Sequence, residues 1–184
     1  MYRIVFIITV FLSLFSCNSQ KELYENGNIK AKGKVTNNEK IGKWKIFFEN
    51  GSLYQIGSYS KGKESGEWKI LYENGKIHQI GKFNNGKQDG EWLFFHSNGN
   101  QQGIGTLDNG KRIGIWKWFY DNGQLQTERK WNSGKLTEIT SYYDGKGNKM
   151  DKGTFENGNG TMKMYDSSGK LLETVQYENG EYVK

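Results

Sequence analysis

The 184-residue chain has no proline, one cysteine and two histidines. A single cysteine excludes a disulfide framework and a thiolate metal site within one molecule. The histidines, His78 and His96, stand in different repeats at a spacing that suits no helix-borne metal motif, so no metal is expected. Apolar residues are scarce: they make up only 34% of the chain, while aromatics alone make up 15%. That balance favours a sheet decorated with large side chains over a thick globular core. Neither sign of charge dominates, and the mixture opposes disorder. The net charge of +6 is too small to imply a nucleic-acid partner. The N-terminal apolar run, Ile4 to Phe15, is too short to span a bilayer comfortably.

That run does suit the core of a signal peptide, since it follows the single cation Arg3. It ends in Leu14-Phe15-Ser16-Cys17, which resembles a bacterial lipobox. The resemblance implies a signal peptide over residues 1–16 and lipid attachment at Cys17. Residues 17–19 then form the acylated cysteine with a short linker, and 20–184 the folded domain. The mature chain keeps 25 basic and 20 acidic residues, a formal +5. Asn18 lacks the aspartate that signals inner-membrane retention in such lipoproteins, so a lipid-anchored place at the outer membrane is preferred.

What the chain has in abundance is a period. "GKWKIFFENGSLYQIGSY", "GEWKILYENGKIHQIGKF", "GEWLFFHSNGNQQGIGTL" and "GIWKWFYDNGQLQTERKW" follow one another at 24-residue steps, the signature of a repeat architecture. Asn-Gly recurs at Asn26, Asn50, Asn74, Asn98 and Asn122, and Gly147 and Gly169 continue the series. Asn-Gly between apolar runs signals a β-hairpin with a type I′ turn. The return segments, such as "SKGKESG", carry two glycines and suit wider, bulged turns. Seven turns imply an all-β, elongated antiparallel meander of about seven hairpins, with degenerate units at the ends.

A two-residue turn at Asn74-Gly75 sets Tyr72 opposite Ile77, Ile70 opposite Gln79 and Trp68 opposite Gly81. The same count pairs Trp44 with Gly57 and Trp92 with Gly105. Each tryptophan is therefore expected to lie across the bare glycine it faces, covering its backbone. In the fourth unit Trp116 faces Arg129, where a cation–π contact is the expected substitute.

The unit "GEWKILYENGKIHQIGKFNNGKQD" resembles the MORN-variant repeat found in bacterial YwqK-type proteins that are catalogued as antitoxin components. Four units match on G-x-W, the aromatic, N-G and G-K. The resemblance implies an elongated twisted sheet that holds another molecule, with no catalytic residue set and no cofactor.

Residue by residue, catalysis finds no support. Glu25, Glu49, Glu73 and Asp121 fall one per unit at the hairpin ends, without a desolvating pocket. Binding has better candidates. Phe47, Leu71, Phe95 and Phe119 recur on the strand face opposite the tryptophans, as an open interaction face or, if the sheet curls, as core. Lys63, Lys87, Lys111 and Lys135 line one edge, either as a contact for anionic lipid or acidic protein or as solvated loop lysines. Trp118 and Trp131 depart from the repeat and neighbour Arg129, an arrangement suited to a contact hot spot. The reading is a non-enzymatic envelope lipoprotein whose sheet is a protein-binding scaffold. The alternative is an antitoxin or immunity protein that occludes a toxin.

Overall fold

In the structure, a computed structural model that describes residues 18–183, the repeat becomes strands in strict succession. They are β1 (Asn18–Leu23), β2 (Ile29–Thr36), β3 (Glu39–Phe47), β4 (Leu53–Ser60), β5 (Lys63–Leu71), β6 (Ile77–Asn84) and β7 (Lys87–Phe95). Then come β8 (Gln101–Asp108), β9 (Lys111–Phe119), β10 (Leu125–Asn132), β11 (Lys135–Tyr142), β12 (Gly160–Tyr165), β13 (Leu171–Glu178) and β14 (Glu181–Val183). The first eleven form one antiparallel sheet in chain order, and the last three form a second. The expected signal segment and Cys17 lie outside the described residues. Asn18 and Ser19, expected as linker, already belong to β1.

The period divides cleanly. Nine residues of β5, the turn residues 72–76, eight residues of β6 and the turn residues 85–86 make one unit. The two turn types are the reverse of the expected ones. Only Gly75 of the Asn-Gly pair takes a positive φ, +80°. Its N–H donates to the Tyr72 carbonyl, and the Tyr72 N–H donates to the Lys76 carbonyl, each at 2.9 Å. The loop is therefore Glu73-Asn74-Gly75 with a glycine bulge, not a two-residue type I′ turn. The bulge sets Leu71, rather than Tyr72, opposite Ile77, after which Ile70 faces Gln79 and Trp68 faces Gly81. Asn74 acts through its side chain, whose Oδ1 accepts the Lys76 N–H at 3.0 Å, a donor the loop leaves outside the ladder. Asn26, Asn50, Asn98 and Asn122 repeat this bond.

Type I′ geometry lies at the return connections. Lys61-Gly62, Asn85-Gly86, Asn109-Gly110 and Ser133-Gly134 each have positive φ at both residues, and Ser60 pairs directly with Lys63. These two-residue loops match the right-handed twist of the strands, strongly enough to hold even Lys61 in the left-handed region.

The second glycine of each return segment sits inside a strand. At Gly66, φ +71°, pairing jumps from Ser58–Ser65 to Ile56–Lys69, so Gly57 alone faces Gly66, Glu67 and Trp68. That bulge lets Trp68 lean onto the preceding strand. A Cβ on Gly57 would stand 2.1 Å from Trp68 Cδ2, and Trp68 Nε1 donates to the Ser58 carbonyl at 3.1 Å. Trp44, Trp92 and Trp116 lie likewise over Gly33, Gly81 and Gly105. The counted tryptophan–glycine pairs are right, but the covering is offset by one unit: the indole over Gly57 belongs to Trp68, not Trp44. All four tryptophans are buried. Each contributes about 4–6 kcal/mol by area removed from water.

The meander ends at Tyr142. The sixth turn recurs, with the Gly147 N–H on the Asp144 carbonyl, but the strands beside it shrink to one bridge, Tyr143 with Lys149. Residues 149–154, "KMDKGT", lack the alternating apolar positions a strand needs. The chain instead returns so that Phe155, Met162, Val175 and Tyr177 pack on Leu136 and Ile139 of β11. The small sheet thus caps the large one.

Candidate functional site

Along the tryptophan face runs an edge-to-face aromatic seam from Trp44 through Tyr59, Trp68 and Phe83 to Trp92, with centroids 5.2–5.9 Å apart. It changes character in the fourth unit, where four residues depart from the repeat. Arg129 stands where Gly57, Gly81 and Gly105 stand, Trp118 where Ile70 stands, Trp131 where Tyr59 and Phe83 stand, and Arg112 where Lys40, Glu64 and Gln88 stand. The fold brings all four together beside Trp116. Trp118 stacks on Trp116 at 5.8 Å and 27° and leans on Gly103, where a Cβ would meet it at 2.5 Å.

Arg129 is the ladder partner of Trp116, as counted. The cation over the Trp116 ring, however, is Arg112 and not Arg129. The Arg112 guanidinium lies 4.9 Å from the ring centres of both Trp116 and Trp131, and 5.7 Å from that of Trp118. Sequence reasoning missed Arg112 because its repeat position carries a different residue in every unit. The only signal was that a cation falls two residues before the glycine ahead of the fourth tryptophan.

Neither arginine forms an ion pair among the described residues. The Nε of Arg129 and the Nε1 of Trp131 are buried with no hydrogen-bond partner. Burial holds both guanidiniums below the ordinary arginine range, opposed by the facing phenol of Tyr177. At Arg129 the positive charge of Arg112 lowers it further. A groove of about 430 Å³ opens here, lined by Gln79, Gln88, Phe94, Lys111, Arg112 and Trp131 among others, and by no carboxylate. Its chemistry is that of a cationic, indole-walled cleft.

Phe47, Leu71, Phe95 and Phe119 are half-buried at the ends of their strands and belong to neither apolar cluster. Lys63, Lys87, Lys111 and Lys135 follow the type I′ turns and are exposed. A Cβ on Gly86 or Gly134, the turn glycines of the next unit, would stand 3.7 Å from the Cβ of Lys63 or Lys111, so these lysines lie along one edge. Lys135 pairs with Glu181 at 3.2 Å.

A stronger basic patch lies elsewhere. Lys21, Lys32 and Lys45 are direct cross-strand neighbours on β1, β2 and β3. Lys30, Lys34 and Lys43 stand two residues along on the same face. All six are exposed, and among the described residues none forms an ion pair. Like charges directly opposite one another in a sheet destabilise it.

Both histidines have structural surroundings. His96 Nε2 meets the Phe119 carbonyl at 2.9 Å, repeating the bonds from the hydroxyls of Tyr24, Tyr72 and Tyr120 to the next unit. His78 packs on Tyr72 at 4.4 Å, and burial lowers its pKa. Glu25, Glu49, Glu73 and Asp121 are exposed at four of the five Asn-Gly turns, with Ser97 at the other.

Comparison with known families identifies the repeat. The family described as the MORN repeat variant matches residues 40–61, 64–85, 88–109, 112–133 and 158–179. The fifth match spans β13, so the small sheet is itself a degenerate unit. No curated protein matches the chain.

Proposed function

Because the chain belongs to the MORN repeat variant family, we propose that it is a non-enzymatic scaffold which binds another protein through its repeat sheet. Repeats of this family commonly serve as scaffolds for proteins or membranes. The observation that carries the reading is the convergence of the fourth-unit departures, Arg112, Trp118, Arg129 and Trp131, on one cluster. Elsewhere the side chains follow the construction rule of the sheet, whereas these four exceed it. Acids spread one per turn offer no paired carboxylates for acid–base work.

The finer proposal is an envelope lipoprotein anchored at Cys17 and held at the outer membrane. The lysine face of β1–β3 supports it. Residues 18–48 carry seven lysines against three glutamates, so most of the mature excess charge adjoins the anchor. That face fits anionic head groups better than the edge row Lys63, Lys87, Lys111 and Lys135. The alternative, an immunity protein against an envelope-acting toxin, would use the same cluster to occlude its target.

Crosslinking in cells tests the scaffold. Wild type should yield a discrete crosslinked species that Cys17→Ala loses. Arg112→Gln or Trp131→Ala should abolish it if the cluster is the contact, and Phe95→Asp or Phe119→Asp if the opposite face is. A species unchanged by all of these, in variants that remain folded, sinks the proposal.

A further inference from the structure

We propose that the cleft walled by Arg112, Trp116 and Trp131 is a carboxylate-binding site that takes an acidic segment of a protein partner. This rests on the scaffold reading and names the chemistry of its contact.

The repeat supplies an internal comparison. Lys40 occupies the Arg112 position three units earlier and also lies over its tryptophan, 4.2 Å from the Trp44 ring. Its charge is neutralised by Glu22 at 2.9 Å. Glu64, at the same position in the next unit, meets the Tyr59 hydroxyl at 3.3 Å. At Arg112 the sequence places a guanidinium with no counter-ion. A second one belongs to Arg129, the ladder partner of the same Trp116 that Arg112 covers, and the two like charges repel.

Two unneutralised guanidiniums held together are unfavourable unless an anion joins them. Stacking on Trp116 and Trp131 accounts for the position of Arg112, but a ring face accepts no N–H bond in the guanidinium plane. The planar donors of Arg112 are thus left for a ligand with two oxygens, the geometry a carboxylate matches.

The walls select a peptide over a bare anion. Gln79 and Gln88 bring amide groups that match peptide N–H and C=O. Phe94 and Trp131 bring apolar surface for a neighbouring side chain, and Lys111 adds a third cation at the rim. Inorganic phosphate would use the cations and leave the rings idle. No carboxylate lines the cleft to repel the ligand.

The test is a fluorescence titration of the full chain in neutral detergent, read through its tryptophans. The probes are a synthetic hexapeptide of alternating glutamate and phenylalanine, its glutamine isostere, and inorganic phosphate. The glutamate peptide should quench saturably and bind about tenfold or more tightly than the isostere. Arg112→Gln should weaken it about tenfold, Arg112→Lys less, and Lys63→Gln, at a regular unit, hardly at all. Raising salt to about 0.5 M should weaken wild-type binding, a check that needs no variant. Equal affinity for the isostere, salt-independent binding, or undiminished binding in a folded Arg112→Gln overturns the site. Phosphate binding without peptide binding overturns the peptide assignment. Peptide binding without a cellular crosslink would keep the site and reject the scaffold.

Discussion

Trp68 covers Gly57, not its ladder partner Gly81, and each of the three equivalent tryptophans reaches back in the same way. A ring in this place leaves no room for any side chain. Gly57→Ala would put a methyl 2.1 Å from the indole and should cost about 3 kcal/mol by urea denaturation. Gly75→Ala meets open space but a φ of +80° and should cost only about 1 kcal/mol. Equal costs would show that the indole yields freely and that the seam does not fix the strands.

The turn chemistry makes a second distinction. Asn74 is used for its Oδ1, and at the sixth turn a carboxylate caps the equivalent N–H, that of Asn148, although Asp144 supplies it from two residues earlier in the turn. Asn74→Asp should therefore stay close to wild type in thermal melts, whereas Asn74→Ala should lose about 1 kcal/mol. If Asp were as harmful as Ala, the cap would not be the reason for asparagine here.

Tyr59 should make the fold sensitive to alkali. Burial, followed by the charge of Glu64 and the hydrogen bond to it, pushes the phenol up from 10.0 to about 12. A pKa raised on folding means that the protonated form is favoured in the folded state. Its stabilising contribution is complete below pH 10 and is lost as pH climbs to about 12. Tyr59→Phe should flatten the stability profile in that window, with phenolate absorbance showing one fewer late-titrating tyrosine. An unchanged profile would refute the assignment.

The lysine face predicts a conflict between stability and binding. Lys32 lies between Lys21 and Lys45 in direct register. Lys32→Glu should stabilise the fold by about 0.5 kcal/mol at low salt, an advantage that salt removes. The same change should weaken co-sedimentation with phosphatidylglycerol vesicles while leaving phosphatidylcholine vesicles unaffected. Destabilisation by this substitution would mean that the lysines are already neutralised within the fold.

The period and the tryptophan register could be read before any coordinates, because the side-chain alternation of a strand is rigid and Asn-Gly recurs five times at 24-residue steps. Trp68–Gly81 and Trp116–Arg129 pair as counted. What register cannot tell is which way a side chain leans. The backward reach of Trp68 depends on the bulge at Gly66, whose role shows only in its φ of +71°. The turn types were reversed for a related reason. Asn-Gly suits a type I′ turn and a glycine-bulged loop alike, and this chain uses it for both: Asn74-Gly75 closes a bulged loop, whereas Asn85-Gly86 and Asn109-Gly110 form type I′ turns. The cluster was half legible: Trp118, Arg129 and Trp131 broke visible columns, whereas Arg112 sat in a column with no rule to break.

The backward reach of the tryptophans also makes the array extensible in one direction of construction. A duplicated unit inserted between two regular ones would find a glycine to cover and a tryptophan to cover its own. It would lengthen the sheet by about 9.5 Å, two strand spacings, with no new kind of contact. The Arg112 cleft lies on β9, eight strands from β1, or about 38 Å across the sheet. Unit number is thus a ruler. It sets how far from the first strand the cleft is presented, and lineages can reset that reach by copying or deleting 24 residues.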